Sequence, residues 1–279
     1  MRTLVESARR KGSVLVAGLD PAPSRFPKEL KPLPELGAAR SFCFGFLEAV
    51  EPYAAAIKLQ SAFFERLGPE GAGIYAEVIR AASDLDLPAI ADVKRGDIGS
   101  TAEAYAEAHL RTFGAVCATV NPYMGSDAVA PFLAEARRLD RGGGAFVLVA
   151  TSNPSSADFQ EATSPPLYEV AARLVADLGQ KAGGYLDAGA VIGLTRPEVG
   201  KRVRRLLPDA LFLAPGYGEQ GGNANAVRAL LDERGGGVLV NNSRGILYAH
   251  EKFGGDYKKA ASEAAKNARD ELRSIGAKL

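Results

Sequence analysis

Eight short apolar runs, separated by segments with helical spacing, constrain this chain more than any other feature. The runs are Ser13–Asp20, Ala55–Leu59, Ala89–Val93, Ala115–Asn121, Ala145–Thr151, Ala190–Gly193, Leu211–Pro215 and Gly237–Asn241. None alternates strictly between apolar and polar residues. That is the pattern of strands buried on both faces, and so of a parallel sheet covered by helices. The intervening helical segments are Ala38–Val50, Gly71–Asp84, one ending near Phe113, Ser126–Leu139, Leu167–Lys181 and Pro197–Leu207, with a last helix over Asp256–Ile275. An amphipathic helix over residues 3–11 precedes the first strand, and the Pro-rich stretch Pro21–Pro34 reads as a loop. Strand and helix alternating in this way predict an α/β fold, a (β/α)8 TIM barrel. A doubly wound sheet is the alternative, but no G-x-G-x-x-G follows the first strand. Residues 1–279 are expected to form a single barrel domain.

The charge balance narrows the partners. With 34 basic and 33 acidic side chains the net charge is +1, which gives no electrostatic reason to expect nucleic acid or a membrane surface. No run of 18 apolar residues is present, and the opening helix lacks the apolar core of a signal peptide. Two cysteines, Cys43 and Cys117, lie in apolar surroundings and suit a reducing, cytoplasmic setting. The two histidines, His109 and His250, have no metal-ligand company, so no metal is expected.

The third strand leads into the most informative stretch, AIADVKRGDIGSTAEAY over Ala89–Tyr105. Residues two apart on a strand share a face, so Asp92 and Lys94 project side by side. Asp97 follows in the strand-to-helix turn, where Ser100 or Thr101 can cap the next helix. A salt-bridge network at a strand end would explain D-x-K-x-x-D by itself. Its position argues for more, because active sites in parallel α/β folds lie at the carboxyl ends of strands.

On a barrel, the other polar strand ends converge on the same mouth. They are Asp20 after strand one, Lys58 on strand two, and Ser152 and Asn153 after strand five. Strand seven leads into PGYGEQGG, which carries Gln220 and Gly221, and strand eight ends in NNSRG, which carries Ser243 and Arg244. Glycines let backbone N–H groups approach an anion closely, and an arginine can add a bidentate contact. The two loops together predict a phosphate site.

Lys58, Asp92, Lys94 and Asp97 would form an array of alternating charge. A lysine between carboxylates is held in its charged form, which makes it a poor Schiff-base nucleophile and a good proton donor. Asp92 beside it would repel a substrate carboxylate, and loss of CO2 would relieve the repulsion. At ~4 Å and an effective dielectric near 20, one such contact amounts to about 4 kcal/mol. The charges therefore favour decarboxylation with protonation by lysine, without a metal or another cofactor.

The combination resembles the orotidine 5′-phosphate decarboxylase family over nearly the whole chain. DVKRGDIGST at Asp92–Thr101 is similar to that family's D-x-K-x-x-D-I-x-x-T signature. GLDP at Gly18–Pro21, IKLQ at Ile57–Gln60, TSNPSS at Thr151–Ser156, PGYGEQGG at Pro215–Gly222 and NNSRGI at Asn241–Ile246 complete the set. The Pro-rich insertion after strand one and the TSNPSS form resemble the longer bacterial branch. The resemblance implies conversion of orotidine 5′-monophosphate to uridine 5′-monophosphate and CO2, the last step of de novo pyrimidine synthesis. It implies Lys94 as proton donor to C6, Asp92 crowding the substrate carboxylate, and Lys58 linking Asp92 to the ribose. Asp20 would accept from ribose hydroxyls, Ser152 would meet the pyrimidine edge, and Gln220 with Arg244 would hold the phosphate. Asn153, Gly221 and Ser243 complete the substrate-binding set. Asp97 and Thr101 would enter the neighbouring subunit's site, which makes the enzyme a homodimer. Sugar-phosphate decarboxylases and aldolases of the same superfamily share D-x-K-x-x-D, but they use Mg2+ and carry a carboxylate after strand two, where this chain has Lys58.

Overall fold

The computed structural model describes residues 1–218 and 221–279. Eight parallel strands close into a barrel: β1 (Leu15–Leu19), β2 (Ala56–Gln60), β3 (Ala89–Arg95), β4 (Cys117–Val120), β5 (Gly144–Ala150), β6 (Ala188–Ile192), β7 (Phe212–Pro215) and β8 (Val238–Asn242). Each pairs with its sequence neighbours, and β1 closes the ring against β8 through pairs such as Val16↔Asn241. The barrel read from the sequence is therefore the fold observed.

The strands bury both faces, and the two faces do different things. Outward residues such as Leu15, Ile57, Leu59, Ala91, Val93, Val147 and Val240 join the layer that packs under the helices. Inward residues Val16, Ala56, Ile90, Cys117, Phe146, Leu211 and Leu239 form a second apolar cluster inside the barrel. Leu4, Val5 and Ala8 of the opening helix, Arg2–Lys11, belong to the same inner cluster and close the barrel's amino-terminal end. That helix stops at Gly12, whose φ of 54° is the left-handed conformation that glycine adopts without penalty.

The larger helices are Glu35–Val50, Pro69–Asp84, Gly99–Ala106, Ser126–Leu139, Leu167–Leu178, Pro197–Leu206 and Tyr257–Ser274. Several sequence expectations are corrected. The helix expected to run to Lys181 ends at Leu178, because Gly183 and Gly184 both take positive φ and turn a small hairpin of Lys181–Ala182 against Tyr185–Leu186. A short helix, Ser61–Glu65, was not expected, and the Pro-rich loop contains two 3-10 turns at Pro23–Arg25 and Lys28–Leu30. The helix after β3 is capped by neither Ser100 nor Thr101. Ile98 occupies the cap position with no side-chain hydrogen bond, and both hydroxyl residues fall in the first turn. Cys43 and Cys117 are free thiols, both buried, and no described helix is long and apolar enough to cross a membrane.

At the amino-terminal end one buried cation ties three elements together. Arg204 donates from Nε to the Leu230 carbonyl, from Nη1 to Leu207 and Ala210, and from Nη2 to Gly237, at 2.7–3.0 Å. Its guanidinium lies 3.5 Å over the ring of Phe212 at the start of β7. Burial pulls its pKa down to about 10, so it remains charged at neutral pH. Arg204→Met would strand four buried carbonyls and should lower the unfolding free energy by about 3 kcal/mol in urea denaturation. Arg204→Lys should recover little, since one ammonium cannot reproduce the guanidinium fork; full recovery by lysine would contradict this account.

Candidate active site

The site begins one pleat above the inner apolar cluster. Two residues beyond Ala56, Ile90, Cys117, Phe146, Leu211 and Leu239 on their strands stand Lys58, Asp92, Thr119, Leu148, Leu213 and Asn241. A strand has period two, so all of these also point inward, and all line a cavity of about 400 Å³ at the carboxyl end of the barrel. That volume suits a small-molecule ligand. Its walls divide by chemistry. Strands β2–β4 supply Lys58, Gln60, Asp92, Lys94 and Thr119, whereas β5–β7 supply Leu148, Val191, Leu213 and Pro215.

Asp92 is the centre of the polar wall. Its Oδ2 accepts from Lys58 Nζ at 2.7 Å and from Gln60 Nε2 at 3.2 Å. Its Oδ1 accepts from Lys94 Nζ at 2.5 Å and from the Thr119 hydroxyl at 3.0 Å. Burial alone would raise the Asp92 pKa, but Lys58 and Lys94 outweigh it and hold the carboxyl well below its usual range. For Lys58 burial works downward, yet the attraction of Asp92 and of Asp20, 4.0 Å away, carries its pKa upward. The Lys94 side chain keeps 43% of its surface exposed, at the mouth where a ligand would enter.

Lys94 does not reach Asp92 along a regular strand, as the sequence reading had it. The β3–β4 register breaks between Ala91↔Ala118 and Arg95↔Val120, so Asp92, Val93 and Lys94 stand opposite Thr119 alone. Lys94 has φ of 46°, a left-handed backbone that a non-glycine residue seldom takes. The bulge turns its ammonium onto Asp92.

The rest of the mouth holds Asp20, Ser152, Asn153, Ser243 and Arg244. Gly18 lets β8 come close: a Cβ there would lie 1.8 Å from Ser243 Oγ. Gly216, at φ 102°, opens the loop after β7 and lines the cavity together with Tyr217 and Gly245. Asp20 Oδ1 and Asn241 Oδ1 are buried acceptors without a hydrogen-bond donor among the described residues, suited to ligand hydroxyl or N–H groups.

Of the predicted site residues, the structure therefore gathers Lys58, Asp92, Lys94, Asp20, Ser152, Asn153, Ser243 and Arg244 around one cavity. It does not bring in Asp97, whose Oδ1 accepts from the Ile98 amide and which forms no ion pair with any described residue. The four-charge array is thus a three-charge array within one chain. Thr101 is exposed on the helix beyond it. Gly221 faces a neighbouring surface groove beside Thr195 and Asn223 and not the cavity, and Gln220 lies outside the described residues. Sequence reasoning missed Gln60, Thr119 and Asn241. The inward register gave a signal for all three, since each lies two or four residues beyond an inner apolar position.

With this geometry in place, comparison with known proteins is decisive. Residues 13–254 match the family described as orotidine 5′-phosphate decarboxylase / HUMPS. The chain belongs to that family. It is 36% identical to the orotidine 5′-phosphate decarboxylase of Caldicellulosiruptor bescii, covering 97% of each chain. It is 42% identical to the enzyme of that name from Bordetella pertussis, covering 94% of each. The solved structure of Leishmania donovani OMP decarboxylase superposes with a TM-score of 0.80 at 34% identity, covering 98% of this chain and 96% of that one.

The charge pair at the centre has a defined pH signature. The Asp92 pKa lies below its ordinary 3.8, so its contribution to stability is present above that value and is lost only as pH falls through the native one. The Lys58 pKa lies above its ordinary 10.5, so its contribution is complete below that value and is lost as pH rises through the native one. The difference in unfolding free energy between wild type and Lys58→Met should then be flat from about pH 6 to pH 9. A slope in that interval, measured by urea denaturation, would mean that one partner titrates there.

Proposed function

We propose that the chain is an orotidine 5′-phosphate decarboxylase that converts orotidine 5′-monophosphate to uridine 5′-monophosphate and CO2. The observation that carries the reading is the Lys58–Asp92–Lys94 relay, with Asp92 held ionised at the wall of a closed-ended cavity. A substrate carboxylate seated against Asp92 is repelled by about 4 kcal/mol at ~4 Å and an effective dielectric near 20. When the carbon–carbon bond breaks, its electron pair stays on C6 and CO2 leaves. Lys94 Nζ then donates its proton to C6, and solvent returns a proton to the amine. The exposed end of Lys94 can reach the ring, while Asp92 fixes where the ammonium sits. The apolar wall of Leu148, Val191 and Leu213 is a suitable surface for departing, uncharged CO2.

Other roles follow the same reading. Lys58 and Asp20 bind the ribose hydroxyls, Ser152 and Asn153 meet the pyrimidine edge, and Ser243, Arg244 and Gln220 take the phosphate. No metal takes part: Lys58, 2.7 Å from Asp92, puts a cation where the Mg2+-dependent relatives are expected to hold theirs. Residues 1–279 act as one catalytic domain in the cytoplasm, where two buried free thiols are at home.

The active form is a homodimer in which Asp97 and Thr101 complete the partner's site. Asp97 has no charged partner among the described residues of its own chain, and Thr101 is exposed. Ile98, next to Asp97 on the loop after β3, is a large apolar residue 54% exposed, and Tyr123 and Met124 on the loop after β4 are 75% and 51% exposed. Exposed apolar surface of that kind supports a protein contact.

Lys94→Ala should abolish turnover in an assay that follows loss of the orotidylate absorbance, with the fold intact by circular dichroism. Retention of more than a tenth of the wild-type kcat would remove Lys94 as the acid. A second experiment addresses the shared site. Lys94→Ala and Asp97→Ala chains, each inactive alone, are unfolded together and refolded at equal concentration. About half the dimers should be mixed, each with one intact site, so about a quarter of wild-type activity should return. Mixed dimers that form, by mass, and stay inactive would place Asp97 in its own chain's site.

A further inference from the structure

Asp92, Val93 and Lys94 bulge away from β4, which leaves two consecutive amides without ladder partners. One oxygen takes both: the Val93 and Lys94 amides each donate to Thr119 Oγ1 at 2.9 Å. Consecutive amides converging on one acceptor make a small concavity for a partially negative atom, and here the atom is a neighbour's hydroxyl. Its two lone pairs are then engaged, so its own proton has one remaining use. It points at Asp92 Oδ1, 3.0 Å away, the oxygen that also accepts from Lys94. Thr119 is 1% exposed, so solvent cannot replace these bonds.

Resting on the decarboxylase reading above, the geometry points to Thr119 as a positioning residue for Lys94. Its hydroxyl clamps the left-handed backbone at Lys94 from one side and the Asp92 carboxylate from the other. The ammonium and the oxygen it contacts are thereby fixed relative to each other. A strained backbone of this kind persists only where its surroundings over-determine it, and the Thr119 hydroxyl supplies that constraint. The contact is made to the protein's own acid and not to the substrate, so its loss misplaces the proton donor without removing a binding group. A lysine free to leave the carbon that must be protonated lowers kcat. Substrate affinity, which rests on the ribose and phosphate contacts, changes little.

The test uses the full-length enzyme and three substitutions. Thr119→Val keeps the shape and removes the hydroxyl, Thr119→Ser keeps the hydroxyl and removes the methyl, and Thr119→Ala serves if valine compromises folding. The valine or alanine variant should lose about 10- to 100-fold in kcat with KM within about threefold of wild type. Serine should restore kcat to within about threefold of wild type. Amide hydrogen exchange gives a readout that does not depend on turnover. Val93 and Lys94 should lose protection in the valine variant and keep it in the serine variant, with the remainder of β3 and β4 unchanged. The inference is overturned if the hydroxyl-free variant keeps kcat within threefold, if KM moves instead of kcat, or if serine behaves like valine. If the wild type itself fails to decarboxylate orotidine 5′-monophosphate, the functional reading falls, and the exchange experiment still decides whether Thr119 holds the bulge.

Discussion

A buried carboxylate with four donors is the constraint from which the rest of this site follows. Asp92 accepts two hydrogen bonds on each oxygen, from Lys58 and Gln60 on one and from Lys94 and Thr119 on the other. Two oxygens offer about four lone-pair directions, so the group is saturated. An ion taken out of water costs several kcal/mol unless its partners are well placed. Here they come from three adjacent strands, β2, β3 and β4, which pair side by side in the parallel sheet. The charge that would oppose a substrate carboxylate is thus made tolerable by the fold and not by solvent.

The two ends of the barrel divide the labour. At the amino-terminal end the strands meet apolar residues, the opening helix and the buried guanidinium of Arg204, none of which lines the cavity. At the other end, a single step of the pleat replaces Ala56, Ile90 and Cys117 by Lys58, Asp92 and Thr119. Chemistry and stability are separated by two residues along each strand. The polar layer rests on a packed floor, so its side chains have few ways to rearrange.

Much of this was legible in the sequence. Burial on both faces leaves an apolar strand signature that does not depend on loop detail, and the strand ends exposed Asp20, Lys58, Asp92 and Lys94 as unusual charges. Thr119 was legible only as an inward-facing residue; its bonding role had no marker, because a lone threonine in CATV is an ordinary β-branched strand residue. The bulge had no marker either, since bulges with positive φ are usually signalled by glycine and this one carries lysine. The helix after β3 kept its place but not its cap, for a preceding Ile98 already held the cap geometry. Gly221 was placed at the cavity because its loop is glycine-rich, yet backbone freedom says nothing of which way a loop folds.

The left-handed backbone at Lys94 has a consequence for anyone who redesigns this chain. Substituting glycine or asparagine at such a position relieves local strain, so a procedure that ranks residues by folding free energy alone will favour replacing Lys94. The chain with the most comfortable backbone would then lack the proposed proton donor. Stability-guided engineering of this barrel should hold residues 92–94 and 119 fixed as a block and look for its gains at the opposite end.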